Sequence, residues 1–218
     1  MTEIEYAKYA NYGWIKDDLE KSGLTVDVFP VEPLRSETEL QERLGFTVIQ
    51  DELGNWIKII GIGGYWIPYP NVPGYYRLKL RYAIQTENGT AKYLSPLKKK
   101  GFGNRPYIPS EVEKLLRNYS PDKPIFITEG EKKAAKATLE GIPTIGLSGV
   151  SCYKDQKNDF LPELEELVWK DRTVYIIFDS DITDKFLVGL AEIRIAVELI
   201  NRGAKVYSVR LPNLEVEQ

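Results

Sequence analysis

From residue 124 onward, short uncharged runs alternate with segments that are apolar on one side and charged on the other. Residues 124–128 read as a buried strand, and 131–140, rich in Lys and Ala, as a helix stopped by Gly141. Residues 143–147 predict the next strand, which ends in Ser148-Gly149-Val150. A polar loop with Lys154, Asp155 and Asn158 leads to a helix around 160–169, and the β-branched, aromatic run 173–178 predicts a third strand. Over 185–201, Leu187, Leu190, Ala191, Ile195, Val197 and Leu199 recur at helical spacing before a Gly203 cap. Residues 204–211 predict the fourth strand. This β-α-β-α-β-α-β order with largely uncharged strand interiors predicts a parallel sheet flanked by helices. Such sheets bind ligands at the C-terminal ends of their strands, where Glu129, Ser148-Gly149, Asp179 and Asp181 all fall.

The first half follows another pattern. Residues 6–22 predict a helix stopped by Gly23. Residues 36–44 predict a second one, capped by Ser36 with Glu39 completing a capping box. Alternating runs at 47–50, 56–60, 65–69, 75–86 and 92–94 predict a small antiparallel β unit, with Asn88-Gly89 as a hairpin turn. Residues 110–118 predict a helix leading into a linker at 119–123. The expected organisation is therefore an α/β protein in two domains: an α+β domain over 1–118 with antiparallel strands, and a parallel-sheet domain over 119–218. Trp14, Trp56, Trp66 and Trp169 are assigned to cores.

Composition narrows the chemistry. The 218 residues are 43% hydrophobic and 28% charged, as in ordinary globular proteins. No apolar run approaches the ~20 residues that span a bilayer, and the acidic start lacks the order of a signal peptide. The expectation is a cytoplasmic protein with no membrane association. Histidine is absent and Cys152 is the single cysteine, which excludes Ser-His-Asp and Cys-His catalysis, every His-containing or four-Cys zinc site, and an intramolecular disulfide. Acid–base work is left to carboxylates, lysines or tyrosines, and any metal should be a hard, oxygen-bound ion such as Mg2+ or Mn2+.

The net charge of −3 is unevenly spread. Residues 1–60 hold six basic and twelve acidic side chains, whereas 76–118 hold ten basic and three acidic. A basic segment inside an acidic protein is a candidate surface for a polyanion. Arg77, Lys79 and Arg81 alternate on one face of a strand, with Lys92, Lys98, Lys99, Lys100 and Arg105 nearby in sequence. Together they are expected to form a groove for single-stranded nucleic acid. Tyr76, Tyr82, Tyr93, Phe102 and Tyr107 offer either stacking partners or, for most of them, a small β core.

Asp179-Ser180-Asp181-Ile182-Thr183 fits the Asp-x-Asp-x-Thr start of haloacid-dehalogenase-type phosphatases, with Asp179 as nucleophile. Position argues against that, because only one strand remains after Asp181 for the further acidic groups such a fold needs. The better match starts from Ile125-Phe126-Ile127 followed by Thr128-Glu129-Gly130. A helix follows, then a strand ending at Gly149 and a strand ending in Asp179-Ser180-Asp181. In order and spacing, over about a hundred residues, this resembles the Toprim module of bacterial-type (DnaG-like) primases, topoisomerases and some nucleases. The string Ile127-Thr128-Glu129-Gly130-Glu131-Lys132-Lys133-Ala134 is similar to Toprim-like domains of plasmid and phage replication proteins. An N-terminal segment like residues 65–69, 77–81 and 92–96 precedes the module in those proteins.

The resemblance implies a Toprim-like parallel sheet and, residue by residue, a role for Glu129 as general acid or base or metal ligand. Asp179 and Asp181 would be the magnesium-binding aspartates. Neighbouring carboxylates repel, so a cation between them is favourable. The implied reaction is primase-like nucleotidyl transfer on a single-stranded DNA template from nucleoside triphosphates, in plasmid or phage replication. Alternatives are a Toprim nuclease and a non-catalytic nucleic-acid-binding module. Relatives tend to continue beyond the position of Leu211-Pro212 and often carry a helicase, so a replicative helicase in cis or in trans is an implied partner. Asp184 either supports the metal through water or caps the next helix. Lys132 and Lys133 either hold a phosphate or line a solvated helix face. Gly149 either lets a nucleotide phosphate approach the backbone or serves as a plain turn residue.

Overall fold

The computed structural model describes residues 3–98, 103–155, 157, 159–178 and 186–210, and the chain divides into two units, Met1–Gly103 and Asn104–Gln218. In the first unit, helix α1 (Glu3–Glu20) precedes β1 (Glu32–Pro33), α2 (Glu37–Arg43) and a hairpin of β2 (Val48–Gln50) and β3 (Trp56–Lys58). Then come α3 (Ile59–Ile62), β4 (Gly64–Pro68), β5 (Tyr76–Thr86) and β6 (Gly89–Leu94). The main sheet is antiparallel, in the order β1-β4-β5-β6.

One face of this sheet buries Trp66, Leu78, Leu80 and Leu94 against Leu40 and Leu44 of α2. The Ser36 side chain caps α2 by accepting from the Glu39 N–H at 3.2 Å. The Glu39 carboxylate does not close the expected box. It accepts from the Arg35 N–H and the Trp66 indole, tying the helix start to the sheet. The hairpin loop is Glu87-Asn88, with Gly89 opening β6. Trp56 is 68% exposed on the short hairpin and is not a core residue. A two-stranded ribbon has no second layer to bury it.

The second unit opens with α4 (Ser110–Arg117) and runs through β7 (Ile125–Glu129), α5 (Glu131–Leu139), β8 (Thr144–Leu147), α6 (Pro162–Glu165), β9 (Thr173–Ile177), α7 (Phe186–Asn201) and β10 (Lys205–Ser208). Its four strands are all parallel, in the order β10-β9-β7-β8. One core gathers Val112 and Leu116 of α4, Leu164 of α6, and Ile195 and Leu199 of α7 over Ile125, Ile127, Val174 and Ile176. The expected first domain extended to residue 118, whereas α4 packs into this second core.

Helix α5 lies on the other face. A Cβ on Gly146 would sit 2.7 Å from the Gly130 carbonyl oxygen and 3.0 Å from the Ala134 Cβ, so the helix approaches β8 as closely as glycine permits. Beyond α5 the same face carries a row of stacked rings at one register level, Phe126 to Tyr175 at 5.1 Å and Tyr175 to Tyr207 at 5.5 Å. The free edge of β8 is partly closed by Tyr107, whose backbone exchanges two hydrogen bonds with Gly146.

On α7 the buried apolar positions among the described residues are Ala191, Ile195 and Leu199, while Val197 turns outward beside exposed Ile193 and Ile200. The helix is apolar on two sides, and spacing alone did not distinguish them. Below it, Glu198 binds Arg202 at 2.8 Å and Lys154 at 3.0 Å, and Arg202 also reaches Glu165. This network ties the loop after β8 to the last turns of α7. Among the described residues no helix is long and apolar enough to cross a membrane.

Arg172, just before β9, is 1% exposed and has no acidic partner among the described residues. Its guanidinium instead donates to the carbonyls of Ser120 (2.8 Å), Lys123 (3.1 Å), Asn118 (3.2 Å), Leu115 (3.5 Å) and Val168 (3.1 Å). The cation thus closes the C-terminal end of α4, whose last carbonyls have no helical partner. Arg172→Leu keeps an apolar stem and strands these acceptors. It should destabilise the protein by about 3 kcal/mol in urea unfolding, and a loss below about 1 kcal/mol would contradict this account.

The Arg202 hydrogen bond, and secondarily Lys154, hold the Glu198 carboxyl below its ordinary 4.5. A carboxyl lowered by folding contributes stability above its unfolded value and loses it as pH falls through the folded one. Unfolding midpoints of wild type should therefore drop between about pH 5 and pH 3 more steeply than those of Glu198→Gln. Parallel curves for the two proteins would show that the network carries no pH-linked stability.

Candidate active site at the C-terminal edge of the parallel sheet

Connections leave β7 in two directions. The first, through α5, places β8 on one side, and the next, through α6, crosses back to place β9 on the other. The strand order therefore reverses between β7 and β9, and their C-terminal ends flank the crevice where open parallel sheets bind ligands. Thr128 pairs with Ile177, so Glu129 stands level with Phe178, and Glu129 itself pairs with Leu147 of β8. Asp179 and Asp181 follow Phe178 in the sequence; with Asp184 they lie outside the described residues.

Glu129 is half-buried at the strand end. Its neighbour Gly130 takes φ +98°, a left-handed conformation suited to glycine, and starts α5. The turn sends the two flanking acids to different places. Glu131 is buried in the first turn of α5, close enough to Tyr107 that burial, and then the Glu131 and Glu111 charges, push the phenol up. Glu129 stays at the edge. Lys132, half-buried, and Lys133, exposed, occupy the same first turn of α5.

After β8, Ser148 and Gly149 are half-buried. A Cβ on Gly149 would meet the Cys152 sulfur at 3.3 Å, and its carbonyl accepts from the Cys152 N–H at 2.8 Å. These contacts favour the turn reading of Gly149. Among the described residues no group of three metal-ligating side chains occurs; two of the three expected carboxylates lie outside that set.

Two groups at this edge were absent from the sequence reading. Arg210 follows β10 by two residues and donates Nη1 to the Glu192 carboxylate at 2.9 Å. Glu192, on α7, is 4% exposed and also accepts from the Ser208 hydroxyl. The signal for Glu192 was present: it falls one turn before Ile195 on the core face of α7, where a carboxylate needs a partner. Arg210 could be placed only once the register of β10 was known.

The expected basic groove is only partly assembled. Lys79 pairs with Asp18 of α1 at 3.4 Å, in contact range of the Trp14 and Tyr93 rings. Arg77 is buried, with Nε on the Ser95 hydroxyl at 3.0 Å. Helix α1 covers the face that both lysine and arginine occupy, and its Asp18 also accepts from the Tyr65 hydroxyl. Arg81 is half-buried beside Tyr82, which is 63% exposed where the pairing of β5 with β6 shifts register. Lys92 and Lys98 are exposed. Lys99, Lys100 and Phe102 lie outside the described residues, and Arg105 belongs to the second unit, ion-paired with Glu163 of α6 at 3.3 Å.

Residues 117–217 match a family model described as a domain of unknown function (DUF3854). The chain is similar to an uncharacterized protein of Picosynechococcus sp. (38% identical over 72 residues, 28% of this chain and 7% of that protein). It is also similar to the Gene 57 protein of Mycobacterium phage D29, at 33% identity over 116 residues, 53% of this chain and 63% of the phage protein. The match thus spans less than two thirds of either relative. No solved structure matches the chain.

Proposed function

We propose that the second unit is a Toprim-like module and that its β7/β9 edge carries metal-dependent nucleotidyl transfer on nucleic acid, primer synthesis on a single-stranded DNA template being the reaction. The observation that supports this is the register. It sets Glu129 level with the end of β9, at the point of strand-order reversal, one residue before the Asp179-Ser180-Asp181 sequence. The oxygen donors of that set suit a hard cation such as Mg2+ or Mn2+. When bound, the cation would neutralise charge developing on the transferred phosphoryl group. Asp179 and Asp181 would hold it, and Glu129 would either join them or move the proton of the attacking hydroxyl. Arg81, Lys92, Lys98, Lys99 and Lys100 remain the template-contacting candidates. Arg77, Lys79 and Arg105 instead serve internal pairs.

Template-directed incorporation of labelled nucleotides by wild type, Asp179→Ala and Glu129→Gln provides the test. Both variants should lose activity by about 100-fold or more while keeping single-strand affinity within about twofold. Equal incorporation by Asp179→Ala, or none by wild type with either metal, would overturn the reading. Shortened template in place of extended primer would identify a nuclease.

A further inference from the structure

The sheet edge carries a fourth group whose role is not structural support alone. Ser208 of β10 pairs with Ile176 and the Val209 N–H continues the ladder to the Ile176 carbonyl, so Arg210 comes level with Phe178 and therefore with Glu129. With strands ~4.8 Å apart, its Cα lies about 5 Å from that of Phe178 and about 10 Å from that of Glu129. The guanidinium stands beside the end of β9, on the side away from Glu129.

Glu192 holds it there. A carboxylate on the core face of α7 is costly unless paired, and a leucine would pack there without any partner. Glu192 instead accepts from Ser208 and Arg210, with its Oε2 making no hydrogen bond. Only Nη1 of Arg210 is engaged, while the side chain remains 51% exposed. Among the described residues Nε and Nη2 have no partner. A guanidinium fixed by one corner, with its other two nitrogens unpartnered among the described residues, suits bidentate recognition of phosphate.

We propose that Arg210, oriented by Glu192, binds the polyphosphate of a nucleoside triphosphate at the β7/β9 edge, with Glu192 acting as a positioning residue. This rests on the reading of that edge as a nucleotidyl-transfer site. The substrate class follows from charge. Lys132 and Lys133 flank the edge on the α5 side and Arg210 on the β10 side, so a polyphosphate lying along the edge meets cations at both ends.

The full-length chain and its Arg210→Gln, Arg210→Lys and Glu192→Gln variants can be titrated with ATP and AMP in Mg2+ by calorimetry. Mn2+ binding without nucleotide is followed separately by electron paramagnetic resonance. Arg210→Gln should weaken ATP by about tenfold and AMP by less than twofold, with Mn2+ binding unchanged. Arg210→Lys should recover only part of the loss, because an ammonium cannot replace the fork. Glu192→Gln should reduce the preference for ATP over AMP in a protein that melts as a single folded species.

Unchanged ATP affinity in Arg210→Gln, equal weakening of ATP and AMP, or no ATP binding by wild type would overturn the proposal. Arg210→Gln carries the test alone if Glu192→Gln does not fold. The underlying reading fails differently: Mn2+ held no better by wild type than by Asp179→Ala removes the metal site, while a retained ATP preference would still assign the phosphate contact to Arg210.

Discussion

Four parallel register pairs between β7 and β9 fix where every group at the edge of the second unit stands. A slip of β7 by one residue would turn Ile125 and Ile127 out of the core and carry Glu129 away from the end of β9. Hydrophobic burial therefore enforces the register, and the register sets the chemistry. The strand-order reversal that leaves a crevice there follows from crossover handedness. A right-handed return to the opposite side of β7 requires α6 and α7 to occupy the face that α5 does not.

Much of this edge was legible in the sequence. Uncharged runs marked β7, β8 and β9 to within a residue or so, since strands buried on both faces tolerate no charge, whereas the edge strand β10 carries Lys205 and ends three residues before its expected limit. Spacing located α7 but did not assign its faces, because Val197 and Ile200 are as apolar as Ile195 and Leu199 and only packing separates them. The strand order was equally out of reach. Periodicity says that a strand exists and not which neighbour it takes, so the alignment of Arg210 with Glu129 could not be read. In the first unit, strand alternation correctly put Arg77 and Lys79 on one face, but not that α1 lies across it.

The partial assembly of those basic residues has one physical root. A cation count along a segment measures charge, while a polyanion surface needs charge that is exposed and uncompensated. Lys79 meets Asp18, and Arg105 meets Glu163. Both partners come from a different element, beyond the i, i+4 window in which sequence betrays partners. Among the described residues of that basic segment in the first unit, Lys92, Lys98 and the flank of the β5 register shift keep exposed charge. That is a narrower surface than the sequence suggested.

The Glu129-Gly130-Glu131 triplet shows the same separation of composition from geometry. Two acids two residues apart read as one cluster, yet the left-handed turn at Gly130 divides them between the sheet edge and the buried flank beside Tyr107. The turn in turn depends on Gly146, where any Cβ would strike the Gly130 carbonyl and push α5 off β8. The close approach of helix and strand thus requires Gly146, whereas Gly130 is required by its positive φ. Buried Glu131 adds negative charge near the N-terminus of α5, where the helix dipole favours it. With Glu131 turned inward, Lys132 and Lys133 are left as the outward charges of that first turn, so the helix start presents cations beside the carboxylate of Glu129. An acidic strand end next to a basic helix start is the polarity that a cation and a phosphate sharing one site require.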